Sequence, residues 1–403
     1  MKIVITTLFG IEALTADELI GLGYNRNQFA VTDGQIVLDA GEPAAAAALA
    51  VARLNVFLST AERVLLQLAE FPAADFETLF DSTSRLPWEE WIPSGYAFHI
   101  NGYSRKSKLF GISACQSLIK KAIVSRLLKA RHLPADGQLP EDMGIGLVRV
   151  QFSLVADIAT LMVDTSGDGL HKRGYRPLQH EAPIKETLAA ALLRLSHFKP
   201  FSDEALLDPM CGSGTIPIEA ALLAARIAPG MNRPFAGEQW PFIGGAAFSL
   251  ARDEALSLMT RQAPEHPFIF GSDLSPEAVE IARLNAHRAG VADWIRFRQA
   301  NVLNIKAADL PELTGFPRHL IICNPPYGER MLDPKQAEQL LSDFSHIYLE
   351  KGQARPDIRL SVITPNESYE RLAGGQADKR RKLYNGMIKC TLYHYYRQRR
   401  LHS

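Results

Sequence analysis

The chain has 403 residues, 47% of them apolar and 22% charged, and its 44 lysines and arginines equal its 44 acidic residues in number. This length suits two or three domains, and this composition excludes a chain that is disordered throughout. No apolar run approaches the roughly 18 residues of a membrane-spanning helix. A net charge of zero argues at first sight against a nucleic-acid-binding protein.

The first 165 residues mix strand and helix patterns in an order that indicates an α+β module with an antiparallel sheet. Six β-branched or alternating segments predict strands, at Lys2–Thr7, Gly34–Ala40, Arg63–Leu68, Tyr96–Asn101, Gly146–Leu154 and Ile158–Thr165. Three segments predict helices, at Ile11–Gly21, Ala44–Val51 and Ser113–Ala130.

From about Ile184 onward, Ala/Leu-rich helices alternate with short apolar strands. The predicted strands are Ala205–Leu207, Phe268–Ser272, Ile295–Gln299, Leu320–Cys323 and Leu360–Ile363. This alternation is typical of an α/β fold with a doubly wound parallel sheet. The stretch 166–183, rich in Gly, Arg and His, is predicted to link the two parts.

The four cysteines, Cys115, Cys211, Cys323 and Cys390, show neither CxxC nor Cys/His spacing. We therefore expect no metal site and no disulfide framework. The N-terminal segment MKIVITTLFG has too short an apolar run for a secretory signal. Together these features predict a reduced, cytoplasmic protein without a membrane partner.

The zero net charge conceals strong segregation along the chain. Residues 91–135 contain eight basic residues and no acid, and the tail 371–403 has a net charge of +8. Such a basic segment suits RNA phosphates, although a chance cluster on a soluble surface is the simpler alternative. The candidate phosphate contacts are Arg105, Lys106, Lys108, Lys120 and Lys121. The interleaved aromatic residues, which suit either base stacking or core packing, are Tyr103, Phe110, Tyr393, Tyr395 and Tyr396.

A glycine-containing loop, Asp208–Thr215, follows a predicted strand and leads into a helix at Ile216–Ala225. Gly212 and Gly214 allow a sharp turn and a close approach of the backbone to a ligand. The loop lies at the carboxyl end of a strand, where open α/β sheets bind ligands. It is neither a P-loop nor a GxGxxG loop, and Thr215 is a candidate cap for the helix.

Asp273 ends the next predicted strand, where a carboxylate can accept hydrogen bonds from ribose hydroxyls. It lies 61 residues after Gly212, whereas about 20 would be usual. A segment of roughly 227–267 is therefore predicted to be looped out as an insertion. A turn-forming Asp before Ser-Pro is the alternative interpretation of Asp273.

The most specific motif is Asn324-Pro325-Pro326-Tyr327, which follows a buried strand. The Asn324 side-chain oxygen and the Pro325 carbonyl can accept from one exocyclic amino group and direct its lone pair at an electrophilic carbon. Tyr327 offers a flat face for a base taken out of its stack. This chemistry is a methyl transfer promoted by positioning, without metal. Asn-Pro and Pro-Pro also occur as ordinary turn signals.

Several segments together resemble a known family. DPMCGSGT and NPPY resemble motifs I and IV of class I S-adenosylmethionine-dependent amino-methyltransferases. The segments HKRGYR at 171–176, APIKET at 182–187, NPPYGER at 324–330 and KLYNG at 382–386 are similar to THUMP-domain rRNA guanine-N2 methyltransferases. These include stand-alone relatives of the N-terminal half of the bifunctional large-subunit rRNA enzyme.

The resemblance covers nearly the whole chain and implies its domain organisation. It implies a ferredoxin-like α+β piece over 1–60, a THUMP RNA-binding domain over 61–165, a linker over 166–183 and a Rossmann-like methyltransferase domain over 184–403. It also implies an insertion after motif I, which accounts for the spacing to Asp273. S-adenosylmethionine is the implied cofactor, and ribosomal RNA or a ribosome-assembly intermediate is the implied partner.

The resemblance also implies the roles of individual residues. The residues around the methionine end of the cofactor are Asp208, Pro209, Met210, Cys211, Gly212, Ser213, Gly214 and Thr215, and Asn324 adjoins them. The ribose and adenine contacts are Asp273, Leu274, Asn301 and Val302, with Asn301 at a position where Asp is usual; Asn can both donate and accept. Pro183 and Lys185 close over the cofactor, whereas the residues alone predict a helix N1 proline and a solvated first-turn lysine. The residues that face RNA phosphates are Lys172, Arg173 and Arg176.

Three functions are compatible with these features. The first is methyl transfer to guanine N2 in rRNA, the second is the same chemistry on adenine N6 in RNA or DNA, and the third is a non-catalytic RNA-binding assembly factor. The basic segment favours RNA, the resemblance favours guanine, and the intact motifs disfavour the third. A covalent mechanism through Cys211 or Cys323 is not expected, because both are placed as small packing residues.

Overall fold

The computed structural model describes residues 1–41, 44–177, 184–260, 262–326 and 333–396. The described chain divides into two units. The first comprises Met1–Thr6, Leu19–Leu170 and Arg233–Glu254, and the second comprises Thr7–Glu18, His171–Asn232 and the described residues from Ala255 onward. Each unit thus includes a segment that is distant from the rest of it in sequence.

A seven-stranded sheet forms the framework of the first unit, in the order β2-β3-β1-β4-β7-β6-β5. Its strands are β1 (Lys2–Thr7), β2 (Phe29–Thr32), β3 (Gln35–Asp39), β4 (Ala61–Pro72), β5 (Gly95–Arg105), β6 (Glu141–Val155) and β7 (Ile158–Asp164). The sheet is continuous from the first forty residues into the segment that resembles a THUMP domain. The six predicted strands are confirmed, and β2 is additional.

The predicted antiparallel arrangement is wrong for one pair of strands. β5 and β6 run parallel, with Ala97 opposite Leu147 and Arg105 opposite Val155. The reason is the long helix between them, since a parallel pair needs a crossover connection. The helices before residue 165 are α1 (Glu12–Gly21), α2 (Ala44–Phe57), α3 (Phe76–Ser84), α4 (Trp88–Trp91) and α5 (Ile112–Ala130), and α5 is this crossover.

The second unit is built on another seven-stranded sheet, in the order β10-β9-β8-β11-β14-β16-β15. Its strands are β8 (Glu204–Asp208), β9 (Ile269–Asp273), β10 (Ile295–Gln299), β11 (Arg318–Cys323), β14 (Ile358–Thr364), β15 (Lys379–Asn385) and β16 (Ile388–Tyr395), and a separate small pair is β12 (Leu349–Glu350) with β13 (Gln353–Ala354). The helices from residue 184 onward are α6 (Glu186–Leu195), α7 (Thr215–Ala224), α8 (Gly244–Leu258), α9 (Pro276–Arg288), α10 (Leu310–Thr314), α11 (Pro334–Tyr348) and α12 (Tyr369–Leu372). The five predicted strands of this region are confirmed.

Because these strands run parallel, their carboxyl ends lie along one edge of the sheet. β8 pairs in parallel with β9 on one side and with β11 on the other, and β9 pairs in parallel with β10. The strand order reverses at β8, so the carboxyl ends of β8 and β11 flank the topological switch point, where open α/β sheets bind ligands. β14 extends the parallel set, and the hairpin β15–β16 closes it antiparallel.

The predicted insertion lies between α7 and β9, as expected, and it is folded. It contains α8, and its residues Arg233–Glu254 belong to the first unit. The buried Arg233 guanidinium donates to the carbonyls of Gly169 (2.7 Å) and Asp168 (2.8 Å) within that unit. Phe235 and Phe248 stack, with ring centroids 5.2 Å apart. The insertion therefore has its own polar anchor and apolar core contacts.

None of the helices in the described ranges is long and apolar enough to cross a membrane.

Candidate active site

The predicted cofactor and catalytic residues gather at the carboxyl edge of the second sheet. The loop Asp208–Thr215 follows β8, Asp273 is the last residue of β9, Asn301 follows β10 and Asn324 follows β11. Because these four strands are parallel neighbours, the four positions share one edge. Tyr327 and Pro183 lie outside the described residues, so their predicted roles stay predictions.

The two glycines of the loop have different reasons to be glycine. Both have positive φ, +52° at Gly212 and +81° at Gly214, a region that is costly for other residues. A Cβ on Gly212 would meet no atom within 4 Å, whereas one on Gly214 would lie 2.9 Å from the Ala282 Cβ on α9. Gly214 thus allows close helix packing, and Gly212 leaves a cradle that a side chain would fill.

The Asp273 carboxylate is held in place by backbone donors on both sides. Its Oδ2 accepts from the Gly212 N–H (2.9 Å), and its Oδ1 accepts from the Ser275 N–H (3.0 Å). Each carboxylate oxygen can accept a further hydrogen bond, so the anchored group can still take two ribose hydroxyls. The alternative interpretation of Asp273 as a turn-forming residue also holds, because the same carboxylate accepts from the Ser275 N–H two residues later. Leu274 beside it is exposed.

Asp208 and the cysteines near it form a buried group beneath the loop. Burial raises the pKa of the Asp208 carboxyl well above its usual range, and the Met210 N–H donates to it (3.3 Å). Burial likewise raises the pKa of the Cys211 and Cys323 thiols strongly. A thiol that stays protonated is a poor nucleophile, which agrees with the packing role predicted for both cysteines.

Asn324 carries the most informative polar atom of the site. Its side-chain Oδ1 is buried, and in the part of the chain that the structure describes it accepts no hydrogen bond. A buried amide oxygen without a donor costs free energy. Pro325 beside it is buried and brings a carbonyl oxygen but no N–H. A buried amide oxygen that accepts no hydrogen bond from the described residues, next to a proline carbonyl, suits an incoming amino group.

Asn301 is more constrained than predicted. Its Oδ1 accepts from the Leu303 N–H (3.0 Å) and caps a short 3₁₀ turn, Val302–Asn304. A contact with adenine would therefore use the amide N–H groups of Asn301 as donors. Val302 is buried against the core below this turn.

Three basic residues before α6 differ from the predictions in helix position or in burial. Lys185 is the extended N-cap of α6, which begins at Glu186, so it is not in the first turn. Arg173 and Arg176 are also corrected, since their guanidinium groups are buried in ion pairs and do not face solvent: Arg173 lies 3.5 Å from Glu219, and Arg176 lies 3.1 Å from Glu186. Of the three predicted phosphate contacts in this segment, Lys172 is exposed.

Sequence reasoning missed the polar residues that hold the loop from behind. The buried Asn285 on α9 donates from Nδ2 to the Ser213 carbonyl (3.1 Å). Thr215 is the first residue of α7, behind the N-cap Gly214, and its hydroxyl accepts from Arg176 (2.8 Å) instead of capping the helix. A buried Asn in an Ala-rich helix face was the available signal for Asn285. The Arg176 contact depends on tertiary packing and had no local signal.

The predicted RNA-facing residues of the first unit divide into two groups. Arg105, the last residue of β5, and Lys106 and Lys108 on the loop that follows have exposed side chains, and among the described residues they form no ion pair. Phe110, at the end of this loop, is 82% exposed. Lys120, by contrast, pairs with Glu141 (3.3 Å) and lies over the Phe98 ring. Lys121 is exposed on α5.

The aromatic residues of the tail do not form a stacking surface as a group. Tyr393 and Tyr395 are buried on β16, so core packing is the interpretation that applies to these two residues. They pack on Tyr369, with ring centroids 4.9 and 6.4 Å away. Tyr396 is exposed, as is Tyr103 on β5. Arg397, Arg399 and Arg400 of the basic tail lie outside the described residues.

A cavity of about 780 Å³ lies beside the sheet edge at β10. It reaches Asp208 and Pro209, but its lining does not include Gly212, Asp273 or Asn324. The predicted cofactor residues Gly212, Asp273 and Asn324 thus lie outside the lining of this cavity. In the described ranges of the chain, His, Cys, Asp and Glu residues form no cluster of three that could hold a metal.

Three family models match consecutive parts of the chain. They are the RlmL ferredoxin-like domain at 2–65, the THUMP domain at 73–164 and the RMKL-like methyltransferase domain UPF0020 at 173–394. YpsC of Bacillus subtilis, which is named as an RNA methyltransferase, is 40% identical over 98% of this chain and 95% of its own.

A longer relative and a solved structure extend these similarities. The Ribosomal RNA large subunit methyltransferase K/L of Syntrophotalea carbinolica is 31% identical, over 98% of this chain and 53% of its own. The chain thus spans about half the length of that relative. A crystal structure of SMU.472, named as a methyltransferase and complexed with SAH, has a TM-score of 0.82 and 36% identity, and the match covers 99% of this chain and 98% of that one.

Proposed function

Because the chain belongs to the RMKL-like methyltransferases with ferredoxin-like and THUMP domains, we propose that it methylates the exocyclic N2 amino group of a guanine in ribosomal RNA. Members of this family use S-adenosylmethionine as the methyl donor. The observation that carries the proposal is the buried Asn324 Oδ1, which accepts no hydrogen bond among the described residues. Large-subunit rRNA is the substrate we propose, since the K/L relative is named for it.

The residues present fit the cofactor at three points. Gly212 leaves open space at positive φ, Asp273 is anchored by two backbone donors, and the buried Asp208 stabilises the loop through Met210. The cofactor supplies an electrophilic methyl group when it is bound. The chain contributes the cradle, the ribose-binding carboxylate and a loop held from behind by Asn285.

Asn324 then determines how the amino group is presented. A guanine N2 group has two N–H donors, and the Asn324 Oδ1 and the Pro325 carbonyl can accept one each. These two contacts fix the nitrogen and leave its lone pair free to attack. The target base must first leave its stack, as it does in other base-modifying enzymes. The rate gain comes from orientation and not from a strong base.

We propose that RNA contacts begin on the first unit. Arg105 at the end of β5 and Lys106 and Lys108 on the following loop present positive charge without intramolecular ion pairs among the described residues, and Lys121 adds a fourth exposed charge. Such charges give salt-dependent affinity for phosphates without sequence specificity. The non-catalytic alternative would predict damage to the glycine loop or to the described part of NPPY, and both are intact.

The test is methyl transfer from labelled S-adenosylmethionine to ribosomal RNA from a strain that lacks this protein. We expect N2-methylguanosine in the digested nucleosides with the wild-type protein and none with Asn324→Ala. N6-methyladenosine as the only product would replace the guanine proposal with the adenine alternative. Equal incorporation by Asn324→Ala would remove Asn324 from the mechanism.

A further inference from the structure

The Arg176 guanidinium joins two segments that are distant in sequence. Its Nη1 donates to the Ile184 carbonyl (2.8 Å) and to the Thr215 hydroxyl (2.8 Å), and its Nη2 donates to Glu186 Oε2 (3.1 Å). Ile184 and Glu186 stand at the start of α6, and Thr215 is both the last residue of the glycine loop and the first of α7. One side chain therefore bonds to the first turns of both helices.

We infer that Arg176 is a positioning residue, which fixes the start of α6 against the glycine loop and so holds that loop in its cofactor-binding geometry. The inference rests on the proposed assignment of the cofactor to this loop. Arg176 itself touches neither the cofactor cradle at Gly212 nor Asn324 among the contacts described. Its effect would be transmitted through the Thr215 hydroxyl.

The position of the Arg176 guanidinium is electrostatically unfavourable for two reasons. Helix N-termini carry partial positive charge, and an arginine beside two of them is repelled. The Arg176 and Glu186 side chains are 6% and 4% exposed, so both ions have also lost most of their hydration. Buried ion pairs contribute little net stability. What the pair does provide is a fixed geometry, since the planar guanidinium reaches three acceptors at once.

A second ion pair attaches the same segment to α7 one turn further along. Arg173 lies 3.5 Å from Glu219, and the Tyr175 hydroxyl donates to the other carboxylate oxygen of Glu219 (3.0 Å). Glu219 follows Thr215 by four residues and so lies on the same face of α7. The segment 173–176 thus holds α7 at Thr215 and at Glu219. The cluster thus combines two arginines and two glutamates in one buried group.

The experiment compares four variants of the full chain by calorimetric titration with S-adenosylhomocysteine. Arg176→Lys keeps the charge but cannot reach three acceptors, and we expect the Kd to rise at least about tenfold, as for the loss of a hydrogen bond to a charged group. The control is Arg194→Met in the last turn of α6, which breaks a 2.7 Å ion pair with Glu18 at the opposite end of that helix from Glu186. Its Kd should stay within about twofold while its thermal stability falls.

Thr215→Val provides the second arm, because it removes only the hydroxyl that accepts from Arg176. In the double variant Arg176→Lys/Thr215→Val, the Kd should be no higher than in the weaker-binding single variant, since both changes break one contact. A Kd within about twofold of wild type in folded Arg176→Lys, or additive effects in the double variant, would overturn the inference. Wild-type protein that fails to bind S-adenosylhomocysteine would instead overturn the proposed function, and the inference with it.

Discussion

The basic residues of the two units differ in what they contact. In the second unit, Arg173 and Arg176 are buried and paired with glutamates, and they hold the backbone around the cofactor loop. In the first unit, Arg105, Lys106 and Lys108 are exposed at the end of β5 and on the loop after it, and they form no ion pair within the described ranges. The buried arginines of the second unit therefore fix local geometry. The exposed basic residues of the first unit are the ones available to phosphates.

This difference separates two kinds of experimental signature. Changes around the second sheet should alter cofactor affinity or the rate of methyl transfer with little dependence on salt, because the groups are buried. Changes in the exposed loop should alter RNA affinity mainly through its salt dependence.

The largest effect is expected for Asn324→Ala. Without the buried amide oxygen the amino group loses one of its two acceptors, and single-turnover methyl transfer should fall by roughly 100-fold or more, as for the removal of one preorganised hydrogen-bonding group. RNA affinity should be nearly unchanged, because the Asn324 amide oxygen is buried and is not one of the exposed charges that would bind phosphates. Rapid-quench kinetics with binding titrations measures both quantities. A comparable loss of RNA affinity would contradict the separation of catalytic residues from RNA-binding residues.

The second effect is a pH dependence of stability at Glu186. Burial raises the pKa of its carboxyl from 4.5 to about 7, opposed by Arg176 and Arg173 and supported by Glu219. The folded protein therefore holds this proton more tightly than the unfolded chain does. The stability from Glu186 is fully present below pH 4.5 and is lost as the pH rises through about 7.

Glu186→Gln removes this titration. Between about pH 5 and pH 8, the free energy of unfolding of the variant relative to wild type should increase by about 3 kcal/mol, since one pKa unit is worth about 1.4 kcal/mol. Urea unfolding at several pH values measures it. A matched variant, Glu280→Gln, changes an exposed glutamate on α9 and should show no such trend. A flat difference for Glu186→Gln would contradict the buried assignment.

The third test compares the two loop glycines. Both alanine variants bear the cost of positive φ, about 1–2 kcal/mol each. Gly214→Ala adds a clash with Ala282 and should lower stability more, whereas Gly212→Ala should weaken S-adenosylhomocysteine binding more for each kcal/mol of stability lost. Calorimetry and urea unfolding give the two quantities. Equal ratios of affinity loss to stability loss would remove the distinction between cradle and packing glycine.

The smallest effect concerns the exposed loop. The triple variant Arg105→Gln/Lys106→Gln/Lys108→Gln should reduce the slope of log affinity against log salt by about 2, or roughly 0.7 for each phosphate contact. Lys120→Gln is the control, because Glu141 already neutralises that lysine. Fluorescence anisotropy with an rRNA fragment at several salt concentrations measures the slope. An unchanged slope in the triple variant would show that these residues are an ordinary solvated surface and do not bind RNA phosphates.

The parts of the fold predicted correctly from sequence have local causes. β1 occupies the predicted Lys2–Thr7, and the glycine loop follows β8 as expected, because strand and turn signals are encoded within a few residues. Placing Asp208, Asp273 and Asn324 at one edge followed from the rule for parallel strands. Their individual hydrogen bonds did not follow from it.

The incorrect predictions concern features set by distant residues. The burial of Arg173 and Arg176 depends on Glu219 and Glu186, which meet them only after α6 and α7 have packed. The β15 sequence KRRKLYN is too polar to predict a strand, and it forms one through pairing with β16. The parallel pairing of β5 with β6 likewise results from the α5 crossover. Charge counted along the sequence could not distinguish paired from unpaired residues.

Guanine-N2 methylation through Asn324 can be tested directly by quantitative mass spectrometry of rRNA nucleosides from three strains: wild type, a deletion of this gene, and the deletion complemented with Asn324→Ala. We expect one N2-methylguanosine in the wild type that is missing from both other strains. An unchanged N2-methylguanosine content in the deletion strain, or its restoration by Asn324→Ala, would contradict it.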